Sequence, residues 1–218
     1  MTFTENEVEK LALTAKQNKF FWRDAALSML IVASLAHHAT VTAGERSLAG
    51  QLLVSTSEMK DPRFADSVIY LIKHSEEGAF GLIINKPVAK GAFSEVLKGF
   101  GVDGQGNKSE IVVHYGGPVS REQGFILHSD EKLLDSSTRV KDGIAVTADV
   151  KMVQMLASGT GPRQALLIMG YAGWAPVQLE NEIKANSWFT ISADKSLVFG
   201  TEPENKWRRA LDKRQTPL

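Results

Sequence analysis

The sequence predicts an α+β fold, namely a compact single domain with a mixed, largely antiparallel sheet surrounded by helices, plus an N-terminal helical extension. Two observations carry this prediction. The apolar segments of strand length are short and are separated by Gly, Pro, Asp and Asn residues. Neighbouring segments follow one another as hairpins more often than as strand–helix–strand units, which argues against a doubly wound parallel sheet.

Composition narrows the classes of protein to which the chain can belong. Its 218 residues suffice for one domain with a sizeable core, and 43% hydrophobic residues are ordinary for a globular protein. The 25 basic residues balance the 25 acidic ones, so direct binding of nucleic acid is not expected. Because the chain has no Cys, disulfides, thiol catalysis and zinc–thiolate sites are excluded.

Residues 1–46 are predicted to form an extension to a domain that spans residues 47–218. Thr4 and Glu7 have the spacing of a capping box, which predicts an amphipathic helix over residues 5–22. Residues 25–44 carry no Asp, Glu, Lys or Arg. This apolar segment has three open interpretations: a signal peptide, a weak membrane anchor or a buried helix. Membrane contact is expected only through this segment.

Within the domain, apolar alternation and turn residues predict the order of the elements. The expected strands are Gln51–Val54, Ser67–His74, Phe80–Asn85, Ile111–Tyr115, Gly124–His128, Ile144–Thr147, Ala165–Gly170, Trp188–Ser192 and Leu197–Phe199. The expected helices are Phe93–Phe100, Ala148–Ser158 (with Thr147 as N-cap), Gln178–Asn186 and Glu202–Arg214. The second and third strands are expected to form a central hairpin through the turn at Glu76–Gly78.

Gly116, Gly117 and Pro118 lie between two predicted strands. Paired glycines allow backbone to approach either a ligand or another backbone segment closely. A tight turn is the favoured interpretation, and a ligand-facing loop is the alternative. Since no Lys-Ser or Lys-Thr pair follows, the segment is not a phosphate-binding P-loop.

Residues 170–188 concentrate Gly, Trp, Gln and Glu, and they form the chemically densest segment of the chain. On a helix, Gln178 and Glu182 would share a face, as would Glu182 and Asn186, whereas Glu180 would point elsewhere. One interpretation is a polar pocket for a ligand or partner. The favoured one is structural, with the polar side chains satisfying the backbone of the preceding turn.

No catalytic signature is recognised in the sequence. A nucleophile elbow and a dinucleotide-binding glycine motif are both absent, and the spacing of His74, His114 and His128 does not predict a metal site. We therefore expect no cofactor and no metal. The alternative hypothesis is an enzyme of unknown activity, with His128 or Glu182 as the acid or base in a polar cleft.

The C-terminal segment Lys206–Arg214 is locally basic. It could contact phosphate groups. A solvated helix face, with Trp207 and Leu211 packed inward, is the favoured interpretation.

An ordered set of motifs closely resembles the AlgH/YqgE family of bacterial proteins from about Leu48 to Leu211. The motifs are Gly50-Gln-Leu-Leu53, Asp61-Pro62, Phe64, Ser67-Val-Ile-Tyr70, Gly78-Ala-Phe-Gly81, Asn85-Lys-Pro87, Gly116-Gly-Pro-Val119, Leu127-His128, Gly170-Tyr-Ala-Gly-Trp174, Gln178-Leu-Glu180, Glu182-Ile183 and Trp188. The resemblance implies one compact α/β domain, no established catalytic residue or cofactor, and a cytoplasmic location. Family members are described as uncharacterised, or as transcriptional regulators because of a link to alginate production.

Three departures from the family pattern stand out. Ser55-Thr-Ser57 replaces Ala-x-Pro, Val177 replaces a Gly, and the N-terminal extension is unusual. Because Val adopts a positive φ with difficulty, the turn before Gln178 is expected to differ from that of the family. The extension leaves export or anchoring through residues 25–44 as the alternative to a cytoplasmic location.

The combined prediction is a non-enzymatic regulatory or interaction protein with an unknown protein or small-molecule partner. The candidate ligand or partner surface comprises Asn85, Gly116, Gly117, Pro118, His128, Gly170, Gly173, Trp174, Gln178, Glu180, Glu182 and Asn186.

Overall fold

Ten β-strands form one curled sheet in the computed structural model, which describes residues 47–100, 109–200 and 202–215. The strands are β1 Gln51–Ser55, β2 Val68–Ser75, β3 Gly78–Ile83, β4 Pro87–Ala92, β5 Glu110–Tyr115, β6 Val119–Ser129, β7 Ser137–Lys141, β8 Ile144–Thr147, β9 Ala165–Trp174 and β10 Trp188–Ser192. The described helices are α1 Phe93–Gly99, α2 Val150–Ala157, α3 Gln178–Lys184, α4 Lys195–Phe199 and α5 Pro203–Gln215.

Strand β9 joins the two halves of the sheet. The strand order is β10-β1-β2-β3-β9-β6-β8-β7, and β5 pairs with both β9 and β4. Only β5 and β9 run parallel, and the other strand pairs of the described residues are antiparallel. The prediction of a mixed, largely antiparallel sheet in a single α+β domain is therefore confirmed.

Helices cover the sheet and enclose three hydrophobic clusters. In the largest, α4 and α5 contribute Leu197, Val198 and Ala210 to a core with β1, β2, β6 and β9. A second cluster packs Leu179 of α3 against Trp174 and neighbouring strands. The third places α1 and α2 against the parallel pair β5 and β9. Burial of these apolar side chains is the main force that holds the layers together.

The central hairpin forms as predicted, since β2 and β3 pair from Ile69 opposite Ile83 to Ser75 opposite Gly78. The prediction of a strand at Leu197–Phe199 is wrong, because this run lies in helix α4. Its N-cap Asp194 accepts the backbone N–H of Leu197 at 2.8 Å. Three apolar residues fit a short buried helix as well as a strand.

Two strands were not predicted, and neither contains a buried residue. Pro87 begins β4 instead of only ending the preceding strand, and β7 has the sequence Ser-Thr-Arg-Val-Lys. Each lies at an edge of the sheet, where one side of the strand is unpaired and polar side chains are tolerated.

The N-cap of α2 is also corrected: it is Asp149, whose carboxylate accepts the N–H of Lys151 at 2.9 Å, and not Thr147.

No helix among the described residues is long and apolar enough to cross a membrane. The predicted helix over residues 5–22 and the apolar segment 25–44 lie outside the described residues. The boundary at residue 47, the cytoplasmic location and the alternative of export or anchoring therefore stay predictions.

Candidate functional site

The candidate site is organised around the turn that links β9 to α3. Strand β9 ends at Trp174, and α3 begins at Gln178. The side-chain oxygen of Gln178 accepts the backbone N–H of Ala175 at 3.1 Å, so the first residue of the helix holds the turn that precedes it. This contact is the structural role that the sequence favoured for Gln178.

Glu182 anchors α3 to two tryptophans. Its Oε2 atom accepts the indole N–H of Trp174 at 2.9 Å and that of Trp188 at 2.7 Å. Its other oxygen accepts the amide N–H of Gln178 at 2.9 Å. The two indole rings meet edge to face with centroids 6.1 Å apart. Trp174, Trp188 and Gln178 therefore converge on one carboxylate, which ties the helix to both ends of the segment.

Glu180 points away from this cluster, as predicted, and contacts His74. The Nδ1 atom of His74 lies 3.1 Å from the backbone N–H of Leu48 and accepts it, so Nε2 carries the ring hydrogen. Nε2–H donates to Oε1 of Glu180 at 2.8 Å. Although burial opposes ionisation, hydrogen bonds from its own backbone and from His74 lower the pKa of the Glu180 carboxyl. The dyad thus fastens α3 to β2.

Val177 adopts the left-handed backbone conformation, with φ of 65°, although a Val side chain disfavours a positive φ. Its backbone carbonyl still accepts the N–H of Asn181 at 3.1 Å, so the first helical hydrogen bond forms. That the turn differs from the corresponding turn of the family stays a prediction. A β-branched side chain in this region is strained, and the side chain is 58% exposed.

Asn186 does not share a helix face with Glu182, because α3 ends two residues earlier. It adopts φ of 57° and closes the helix: its N–H donates to Ile183, and that of Ser187 donates to Glu182. This pattern is a Schellman motif, for which Asn is well suited. Asn186 therefore has a capping role in the structure.

Gly116, Gly117 and Gly170 are buried where β9 crosses the segment before β6. The N–H of Gly116 donates to Met169 at 2.7 Å, and its carbonyl accepts Ile83 at 3.0 Å. A Cβ atom on Gly117 would lie 2.2 Å from the backbone of Tyr171. The glycines allow backbone to pack on backbone, which agrees with a tight turn and leaves only Pro118 partly exposed.

Asn85 and His128 are also buried and have internal partners. Asn85 accepts the N–H of Val68 and donates to Asp66, both at 2.8 Å. The ring of His128 contacts the carbonyl of Ser129 at 3.0 Å and the hydroxyl of Thr147 at 2.8 Å. Burial lowers the pKa of His128, which favours the neutral ring.

His128 and Glu182 lie at opposite ends of β9. His128 is opposite Ala165, the first residue of β9, whereas Glu182 binds Trp174, the last residue of that strand. Nine residue steps along β9, interrupted by the left-handed Gly170, separate the two positions by at most roughly 30 Å. The hypothesis of an enzyme that uses His128 or Glu182 stays a prediction.

The exposed part of the candidate site is a surface that we name the hairpin–turn surface, defined by Glu76, Glu77 and Val177. Gly78 of the β2–β3 turn packs on the backbone of Trp174 and Ala175, where a Cβ atom would lie 2.2 Å from the Trp174 carbonyl. The acidic pair is exposed beside this contact. Gly173 and Gln178, from the predicted surface, are exposed at the same end of β9.

Sequence reasoning missed Lys206, which was placed on a solvated helix face. Lys206 is fully buried, and its ammonium group donates to the carbonyls of Val198 at 2.7 Å and Ile84 at 3.1 Å. Trp207 and Leu211 pack inward as predicted. A charged residue within an amphipathic helix gives no local signal of burial.

Among the described residues, no three metal-ligating side chains cluster to hold a cation.

Comparisons with known proteins agree with this architecture. The family model described as AlgH-like, DUF179, matches residues 52–218. A UPF0301 protein of Bradyrhizobium diazoefficiens is 43% identical over 174 residues, which cover 76% of this chain and 81% of that protein. A UPF0301 protein of Methylobacterium nodulans is 44% identical over 186 residues, covering 80% and 89%.

Two solved structures share the fold. The solution structure of AlgH from Pseudomonas aeruginosa is 32% identical with a TM-score of 0.65, and the match covers 82% of this chain and 94% of that one. A crystal structure of a Corynebacterium diphtheriae protein, DIP2367, is 23% identical with a TM-score of 0.61, covering 80% and 90%. This second likeness concerns the fold alone. The chain therefore belongs to the uncharacterised AlgH-like family, also called DUF179 or UPF0301.

Proposed function

We propose that the protein is a non-enzymatic regulatory protein that acts by binding a partner protein through the hairpin–turn surface. The observation that carries this proposal is the exposure of Val177, which lies two residues after Ala175, where the turn that carries Glu76 and Glu77 packs on the backbone. Val119 and Val177 are the exposed large hydrophobic residues of the described chain, at 37% and 58% exposure. Both lie at the Trp174 end of β9, since Val119 pairs with Tyr171.

The hairpin–turn surface is rigid, which favours specific binding. The Glu182 network holds α3 from two sides, and the contact of Gly78 with the Trp174 carbonyl holds the hairpin turn against it. A surface that is already ordered loses little conformational entropy when a partner binds. The Val177 side chain strains the backbone, so it does not stabilise the turn. Strained positions of this kind are often functional.

The charge of the surface indicates the chemistry of the partner. The Glu77 side chain is 63% exposed and its carboxylate lies 3.5 Å from the Lys73 ammonium, and Glu76 adds a second exposed carboxylate. A basic protein segment that carries an aliphatic side chain would complement two carboxylates around Val177. The same carboxylates repel phosphate groups, so a regulatory role through protein contact is favoured over direct contact with nucleic acid.

Charge neutralisation tests this proposal. The variant Glu76→Gln/Glu77→Gln removes two negative charges from the surface, and Glu95→Gln/Asp135→Asn removes two from exposed positions elsewhere. Each full-length protein is immobilised, and the proteins that it retains from its own cells are quantified at 50 and 300 mM salt. Labelled peptides with Lys and Arg around one Leu, and their Glu-substituted counterparts, are titrated in parallel by fluorescence anisotropy.

We expect the wild-type protein and the control variant to retain the same proteins and to bind the basic peptides. The Glu76→Gln/Glu77→Gln variant should lose that binding at least tenfold, and high salt should weaken it in the wild type. Equal retention by all three proteins would contradict the assignment of the surface. Binding of a labelled DNA duplex at low salt, in preference to the peptides, would contradict the proposed mode of regulation.

A further inference from the structure

A cavity of about 420 Å³ lies over the parallel pair β5 and β9, on a part of the molecule that shares no residue with the hairpin–turn surface. Its wall is mainly apolar, with side chains from α1, α2, α4, the first residue of α5 and the segment that precedes β9. The lining includes Phe93, Leu156, Pro162, Phe199 and Pro203. The volume and the apolar lining are typical of a site for a small organic ligand.

His114 of β5 lines this cavity, and one of its ring nitrogens has no hydrogen-bond partner among the described residues. The residue is only 4% exposed, and its Nδ1 atom is buried without a hydrogen bond of normal geometry. Buried polar groups in native proteins nearly always have a partner, so an exception requires an explanation. A neutral imidazole presents one donor and one acceptor nitrogen, so His114 adds a polar group to an otherwise apolar part of the wall.

One cation lies in the lining of the cavity and a second lies near His114. Arg163 lies at its rim, where the carboxylate of Glu131 accepts the Arg163 backbone N–H at 2.6 Å and so holds this part of the wall. Lys206 lies close enough to His114 to act on its charge: burial first, and then the Lys206 ammonium, lower the pKa of His114 to about 4, against the opposing effect of backbone carbonyls. Glu110, the carboxylate in the lining, is paired with Lys90 at 2.6 Å.

We propose that this cavity binds a small amphipathic carboxylic acid, whose hydrocarbon body packs on the apolar wall and whose carboxylate contacts Arg163 and the imidazole of His114. The Arg163 guanidinium at the rim favours an anionic head group, since the lining carboxylate of Glu110 is already paired with Lys90. The apolar wall favours a hydrocarbon body of several carbons, since water released from such surfaces stabilises the complex.

Octanoate serves as the probe, and octanol is its uncharged counterpart. Each is titrated into the full chain by calorimetry and by NMR, with the ring signals of His114 followed between pH 3.5 and 7.5. Arg163→Gln removes the rim cation, Ala165→Phe fills the cavity at a lining residue, and Arg139→Gln removes an exposed guanidinium outside it. If Ala165→Phe does not fold, Arg163→Gln and the octanol comparison still decide the outcome.

We expect octanoate to bind with a dissociation constant below 1 mM, on the order of the affinity of a small ligand, and to raise the pKa of His114. Arg163→Gln should weaken binding about tenfold, Ala165→Phe should abolish it, and Arg139→Gln should leave it unchanged. Absence of binding at millimolar octanoate would overturn the proposal. It would also fail if octanol bound as tightly as octanoate, or if Arg163→Gln or folded Ala165→Phe bound like the wild type.

Discussion

The indole nitrogen of Trp188 lies 2.7 Å from Oε2 of Glu182, and the N–H of Trp174 reaches the same oxygen. One carboxylate thus joins the end of β9, the start of β10 and the helix between them. Hydrogen bonds to a charged acceptor contribute more to stability than neutral ones. Trp174, Glu182 and Trp188, which belong to the motifs of the family, therefore have a clear structural role.

Replacement Glu182→Gln tests that role. The amide offers one oxygen and no charge to three N–H donors, so we expect the free energy of unfolding to fall by about 2 kcal/mol. Urea unfolding followed by tryptophan fluorescence measures the change. Glu58→Gln, which neutralises an exposed carboxylate elsewhere, is the control and should change little. Equal stability of the two variants would show that the carboxylate is not needed.

Val177→Gly should stabilise the protein although it removes a side chain. Gly tolerates the observed φ of 65° without steric cost, whereas a left-handed Val is strained. Part of the gain is offset because Gly raises the entropy of the unfolded chain, so the expected net increase is about 0.5–1 kcal/mol. Thermal unfolding measures it. The matched control is Val119→Gly, a Val in strand conformation, which should destabilise; the same sign for both variants would refute the strain argument.

Tyr70→Phe should stabilise as well, for a different reason. Tyr70 is fully buried in the main core, and its hydroxyl has no hydrogen-bond partner among the described residues. Removing an unsatisfied buried hydroxyl is expected to raise the free energy of unfolding by about 1 kcal/mol. Tyr171→Phe, at a partly exposed ring, is the comparison in the same urea experiment. A loss of stability specific to Tyr70→Phe would reveal a partner for the hydroxyl.

The buried ammonium of Lys206 predicts a pH dependence. Burial, with a smaller effect of Arg209, lowers the pKa of Lys206 from 10.5 to about 8 in the folded protein. Between these two values the unfolded chain binds more protons than the folded one, so stability should rise with pH from about 8 to 10.5. Below pH 8 both states are protonated, and the contribution of Lys206 to the slope vanishes.

Urea unfolding of the wild type and of Lys206→Met at intervals from pH 7 to 10 measures this dependence. The difference in free energy between the two proteins should change across that range in favour of the wild type, by on the order of 2 kcal/mol. Lys132→Met, at an exposed position, supplies the control for losing one lysine. A difference that stays constant with pH would mean that Lys206 titrates as an exposed lysine does.

Local pattern was sufficient for the elements with strong apolar alternation. The β2–β3 hairpin was predicted because apolar runs flank a Glu-Glu-Gly turn. The pattern failed at edge strands β4 and β7, whose exposed side chains need not alternate. It also failed at Leu197–Phe199, because three apolar residues have too little length to distinguish periods of 2 and 3.6.

The sequence by itself determined the family, the α+β class and the importance of residues 170–188, because motif order and hydrophobic period are properties of the chain. Only the tertiary structure decided which polar groups are buried and which meet. His128 and Glu182 lie at opposite ends of β9, whereas Glu182 contacts Trp174 and Trp188, and Lys206 lies close enough to His114 to lower its pKa. Such encounters depend on strand pairing between distant segments, and the burial that follows sets the charge and the hydrogen bonds of each side chain.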